Sequence, residues 1–98
     1  MMRRAGFREA KRRVLKALAE GAYQHEARNA IDTRNELSTG AVTAAEVIAV
    51  IGRCNGTHHT ASPHHADASV EVHVLKRERW YIKFYFLDED TFFISVHR

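Results

Sequence analysis

Ninety-eight residues make one domain, 1–98, because so short a chain buries only about 60–70% of its unfolded surface and cannot divide that core in two. Hydrophobic residues at 45% and charged residues at 28% exclude a disordered chain, and the longest apolar runs, such as Val47 to Ile51, are far too short to span a membrane. The 15 Lys and Arg outnumber the 12 Asp and Glu, and seven histidines add positive charge as pH falls, so polyanions are expected partners.

The start, Met1-Met2-Arg3-Arg4, leads into a charged segment with no apolar run, so no secretory signal is expected and the expected compartment is the cytoplasm. A single cysteine, Cys54, excludes an internal disulfide framework and fits a reducing environment. Much of the positive charge is local. Arg3, Arg4, Arg8, Lys11, Arg12, Arg13 and Lys16 stand against one acid, Glu9, and a second basic knot lies at Lys76-Arg77-Glu78-Arg79. Either cluster is equally well read as a solvated surface.

From Phe7 to Glu20 the apolar residues Phe7, Ala10, Val14, Ala17 and Leu18 recur every three or four positions, and Gly21 follows as a stop. This predicts an amphipathic helix with a cationic outer face. From Gln24 to Leu37 a weaker helical pattern passes through Ala27, Ala30 and Ile31 and breaks at Ser38-Thr39-Gly40. Thr43 followed by Glu46 has the form of a capping box, after which Val47, Val50, Ile51 and Cys54 share one face of a third helix ending near Asn55-Gly56.

Thr57 to Asp67, with two His-His pairs and the only proline, reads as a loop. Beyond it the period changes to two. Val70, Val72 and Val74, then Trp80, Ile82, Phe84 and Phe86, then Phe92, Ile94 and Val96 alternate with mostly polar residues, which predicts three antiparallel strands with one face on the helices. The expected fold is therefore α+β, N-terminal helices on a three-stranded antiparallel sheet. With turns at Lys76 to Glu78 and Asp88 to Asp90, matching apolar faces sets His73 across from Tyr81 and Tyr81 across from His97. In the next row Glu71 faces Lys83, which faces Ser95.

Such rows hold the groups needed to cleave RNA without a metal. A base removes the 2′-hydroxyl proton, a cation stabilises the crowded phosphorane, and an acid protonates the leaving 5′-oxygen. Histidine suits either proton role because its ordinary pKa lies near ~6.5. The candidate catalytic set is His97 or His73 as base or acid, Tyr81 as a positioning or acid group, Lys83 as a phosphate contact, and Glu71 as base or as the group that orients a histidine. Arg79 and Arg98 are candidate phosphate contacts, while Tyr85 and Phe93 offer surface for base stacking. Each of these residues alone is better read as the ordinary filling of a solvent-facing strand, and a Glu71–Lys83 pair is an ordinary cross-strand contact. Their convergence on one small face carries the reading. His58-His59 and His64-His65 lie near Cys54, but the spacing matches no known zinc signature, and a loop histidine supplied to the catalytic face fits better. No nucleotide-cofactor motif occurs, and the expected chemistry needs no metal or cofactor. Cys54 falls on the apolar side of its helix, as a core residue does.

Helices first and a small antiparallel sheet ending near the C-terminus resemble the RelE-like ribonuclease toxins of bacterial toxin-antitoxin systems. Tyr81-Ile82-Lys83 is similar to a Tyr-apolar-Lys segment of the MqsR family within them, and Ser95-Val96-His97 is similar to its Ser-Phe-Lys or Ser-Phe-His ending. Val47 to Gly52 before the loop and Arg28-Asn29-Ala30 after Gly21 add to the resemblance, which covers Gly21 to His97. It implies a metal-independent mRNA-cleaving toxin, silenced by a cognate antitoxin protein, with the ribosome as a further potential partner and no membrane. It also implies a catalytic tyrosine at Tyr81 and places His97 where the family carries a lysine. The family's glutamine falls near Ser69. Its loop lysine has no counterpart between Lys16 and Lys76, so His58 or His59 would take that place. The alternatives are a non-catalytic RNA- or ribosome-binding module and a protein whose polar face docks another chain.

Overall fold

The structure is a computed structural model that describes residues 6–26 and 35–98. Helix α1 (Phe7–Glu20) buries Ala10, Val14, Ala17 and Leu18, and Gly21 ends it at φ 69°, a left-handed conformation that glycine adopts without steric cost. Helix α3 (Ala44–Arg53) starts at the expected capping box, where Thr43 Oγ1 accepts from the Glu46 N–H and Glu46 Oε1 accepts from the Thr43 N–H. Cys54 follows α3 as its C-terminal cap, buried in the core. Lys11 of α1 donates to the carbonyls of Gly52 and Cys54, so a cation closes the C-terminal end of α3 and ties the two helices together.

Among the described residues the sheet has five strands, not three, and it is mixed, not antiparallel: β1 (Tyr23–His25), β2 (His59–Pro63), β3 (Glu71–Arg77), β4 (Trp80–Leu87) and β5 (Asp90–His97), in the order β1-β5-β4-β3-β2. The α+β class holds, with three α-helices among the described residues. The two extra strands are the edges. Strand β1 pairs parallel to β5 over only three residues, too few to show a period, at positions where the sequence predicts a helix. Strand β2 runs through the segment expected to be a loop. Its residues after His59 are exposed, so no apolar alternation marks it, and Pro63 at its end is tolerated on an edge. The short 3-10 turn Gly56–His58 precedes it. Of the second expected helix, Gln24 belongs to β1 and only α2 (Glu36–Thr39) is helical; Ala27, Arg28, Asn29, Ala30 and Ile31, like Arg3 and Arg4, lie outside the described residues.

Both hairpins turn through two residues, Glu78-Arg79 and Asp88-Glu89, with Glu78 at φ 57° and Asp88 at φ 55°. The shorter first turn shifts the pairing of β3 by an odd number of positions. Tyr81 therefore pairs with Lys76 and Lys83 with Val74, while His73 pairs with Phe84. The whole of β3 is turned over: His73 and Leu75 face the helices, and Val72 and Val74 face the other way. Between β4 and β5 the expected pairs Tyr81 with His97 and Lys83 with Ser95 are present, but an irregularity follows, after which Phe84 pairs with Phe93. The extra residue, Ile94, is a bulge that puts Phe93 in the main core and leaves Phe92 and Ile94 on the outer face.

The main core lies between the helices and one sheet face. It joins Val14, Leu18, Val47 and Ile51 with Leu75, Ile82, Phe84, Phe93 and Val96. A smaller cluster, Val72, Tyr85 and Ile94 with Val70 and Phe92, occupies part of the outer face. Among the described residues no helix is long and apolar enough to cross a membrane.

Candidate functional site

Alternation along β4 directs Tyr81, Lys83 and Tyr85 to the outer face, because their neighbours Ile82 and Phe84 are held in the main core. Tyr81 stacks on His97 of β5, with ring centroids 5.2 Å apart and planes 15° apart. From the other side Lys76 of β3 lies with Nζ 5.5 Å from the centre of the Tyr81 ring. Lys83 stands in the adjacent row, flanked by Ser95 and Val74. An aromatic hydroxyl, an imidazole and two ammonium groups thus share the outer face near the end of the sheet where β5 terminates.

Not every expected member joins them. His73 is 1% exposed and lies on the helix side, stacked on Phe84 and tilted against Phe86. Its Nδ1 is 2.9 Å from His59 Nε2, and its Nε2 is 3.5 Å from Glu71 Oε1. Burial, with the charges of His59 and Arg13, lowers its pKa from the usual 6.5 to about 4. His59 is also lowered by burial, against which the Glu71 carboxylate acts. Both rings are therefore neutral near pH 7. One ring donates to the other, and the Glu71 carboxylate lies 3.5 Å from the remaining ring nitrogen of His73.

His58 is taken up locally, with Nδ1 accepting from the Asn55 N–H and the Arg77 guanidinium 3.2 Å from Nε2. Arg79 is exposed in the first hairpin turn. Arg98 lies over the Trp80 ring at 5.3 Å and 3.8 Å from Glu46. Of the basic residues on α1, Arg13 donates to the Asp88 carbonyl and covers Phe86, so like Lys11 it serves the fold, whereas Arg8, Arg12 and Lys16 form an exposed stripe. Phe93 is fully buried, and Phe92 takes the place expected for it, stacked on Tyr85 at 5.2 Å and 6°.

Sequence reading missed two participants. Lys76, assigned to a turn, is brought beside Tyr81 by the two-residue hairpin. Glu26, at the end of β1, accepts hydrogen bonds at Oε1 from His64 Nε2 at 2.7 Å and from the Tyr85 hydroxyl at 3.3 Å. Burial and the Glu26 carboxylate raise the Tyr85 pKa. No local pattern announces Glu26, since its partners lie on a loop and on β4.

Burial pushes the Cys54 thiol up, and its Sγ donates to the Val50 carbonyl, which fits a packing residue and not a nucleophile. Among the described residues no three His, Cys, Asp or Glu side chains are placed to hold a metal ion. Comparison with known proteins gives no match, whether among family models, curated proteins or solved structures.

Proposed function

We propose that the chain is a metal-independent endoribonuclease acting on mRNA at the outer sheet face. The stacked Tyr81–His97 pair, with Lys76 over the tyrosine and Lys83 in the next row, is the observation that carries this reading. In the proposed reaction His97 takes the 2′-hydroxyl proton, the 2′-oxygen attacks phosphorus, and the bond from phosphorus to the 5′-oxygen breaks. Tyr81 protonates that oxygen and recovers its proton from the His97 imidazolium. The products are a 2′,3′-cyclic phosphate and a 5′-hydroxyl. Lys76 and Lys83 offset the charge that builds on the non-bridging oxygens. His73, buried on the opposite face, has no part in this scheme, and neither does Glu71, which lies beside it and acts on His59.

The resemblance of Tyr81-Ile82-Lys83 and Ser95-Val96-His97 to MqsR-like toxins supports a cytoplasmic toxin held silent by an antitoxin protein. A non-catalytic RNA-binding module is the second reading, favoured by the partly exposed Phe92, stacked on the buried Tyr85 of the same face.

The test is cleavage of single-stranded RNA in excess EDTA, with and without ribosomes, by wild type, His97→Ala and Tyr81→Phe, with product ends identified. The expected outcome is cyclic-phosphate and 5′-hydroxyl ends and a loss of about 10²-fold or more in each folded variant. RNA binding without cleavage under any condition would overturn the nuclease reading in favour of the binding module.

A further inference from the structure

The outer face carries a second cluster that the proposed reaction does not use. His64 is held at both ring nitrogens: the Ala66 N–H donates to Nδ1 at 3.0 Å, which leaves the proton on Nε2, and Nε2 donates to Glu26. The ring is wedged edge-on against Tyr85 at 5.0 Å, and its side chain is only 9% exposed. A backbone bond from the His64 N–H to the Val70 carbonyl pins the loop at the same point. On this anchored imidazole lies His65, stacked at 4.5 Å between centroids and 21° between planes, and exposed. Among the described residues the His65 ring contacts no other ring.

Stacking on an anchored ring restricts the His65 imidazole, so it has less freedom left for binding to take from it. It presents a flat π surface next to water, and the His64 ring on which it lies contacts Tyr85, which in turn stacks on the partly exposed Phe92. Tyr85 stands four residues beyond Tyr81 on β4, about 13 Å away at ~3.3 Å per residue. One nucleotide cannot reach both places, since successive bases in a stacked strand are only ~3.4 Å apart. The chain is also basic, which favours a polyanion as ligand.

We infer that His65, positioned by His64 and Glu26, is a stacking platform for a base of single-stranded RNA lying about four nucleotides or more from the scissile phosphate. This deepens the ribonuclease reading and rests on it. The platform takes any base, because every base has a π face, so it sets the length of RNA required and not its sequence.

The experiment compares wild type, His65→Ala and His65→Phe in binding uncleavable 2′-deoxy oligonucleotides of two and of eight nucleotides, each carrying 2-aminopurine. The same proteins are then assayed for cleavage of the matching RNAs. His65→Ala should weaken octamer binding by about fivefold to a hundredfold, relieve the stacking quench of 2-aminopurine, and leave dinucleotide binding unchanged. His65→Phe should restore both octamer readouts, which separates stacking from charge. Wild-type affinity for the octamer in His65→Ala, or equal losses for octamer and dinucleotide, would overturn the platform. So would a His65→Phe protein as weak as His65→Ala. If wild type binds both lengths yet cuts neither RNA, the nuclease reading falls while the octamer data still decide the platform.

Discussion

Acid should destabilise this fold through His73. The imidazole is 1% exposed on the helix side of β3, faced by His59 from β2, Arg13 from α1, Phe84 and Phe86 from β4, and Glu71 on its own strand. Its pKa is lowered from 6.5 to about 4, so between these values the unfolded chain binds the proton more readily than the folded one. The stability this neutral ring contributes is fully present above pH 6.5 and is lost as pH falls, levelling off below pH 4. At ~1.36 kcal/mol per pKa unit the loss amounts to about 2 kcal/mol at pH 5 and about 3 kcal/mol at pH 4. Against the ~5–15 kcal/mol total of a typical domain this is a large share. Urea unfolding from about pH 7.5 to pH 4 measures it, with His73→Leu as the comparison, because leucine fills a similar volume and cannot titrate. The difference in stability between wild type and variant should shrink in the wild type's disfavour by those amounts as pH falls. His59 titrates in both proteins and affects the difference only through its coupling to His73. Parallel stability curves for the two proteins would refute the assignment of a depressed pKa to a buried His73.

The bulge at Ile94 makes unequal neighbours of two phenylalanines: Phe93→Ala should cost about 3–5 kcal/mol and Phe92→Ala less than half of that, by chemical denaturation. Equal costs would contradict the shifted register. Glu78 holds φ 57° at the first hairpin turn, so Glu78→Gly should stabilise by about 0.5–1 kcal/mol and raise the melting temperature, and a lower Tm would count against the turn geometry. Lys76→Gln should leave the fold intact and reduce the slope of log affinity for single-stranded RNA against log salt by about 0.7. An unchanged slope would remove Lys76 from the phosphate path.

The legible parts of the chain were those where one face is apolar and the other is not. Helix α1 shows a single buried stripe and a glycine stop, α3 shows a capping box and three buried residues on one side, and β4 alternates cleanly from Trp80 to Phe86. The pairing of Tyr81 with His97 followed from that alternation, and with it the heart of the candidate site. The expected row through His73 did not form, because β3 is buried on both faces: Leu75 and His73 enter the main core while Val72 and Val74 are covered on the other side. With apolar side chains pointing both ways, hydrophobic parity cannot select a register.

The sequence by itself determined the α+β class, the two longer helices, the three central strands and the basic balance, since each is written in local period, capping residues or charge. Tertiary structure decided what those elements present to one another. A hairpin turn one residue shorter than expected turned β3 over and replaced His73 by Lys76 beside Tyr81. A bulge exchanged Phe93 for Phe92 on the outer face, and edge strands β1 and β2 carried Glu26 and His64 to Tyr85. Side chains alternate with a period of two along a strand, so a one-residue change in a turn or a bulge reverses every position beyond it. The free energy that selects between the two registers comes from packing across the whole sheet and not from any local segment.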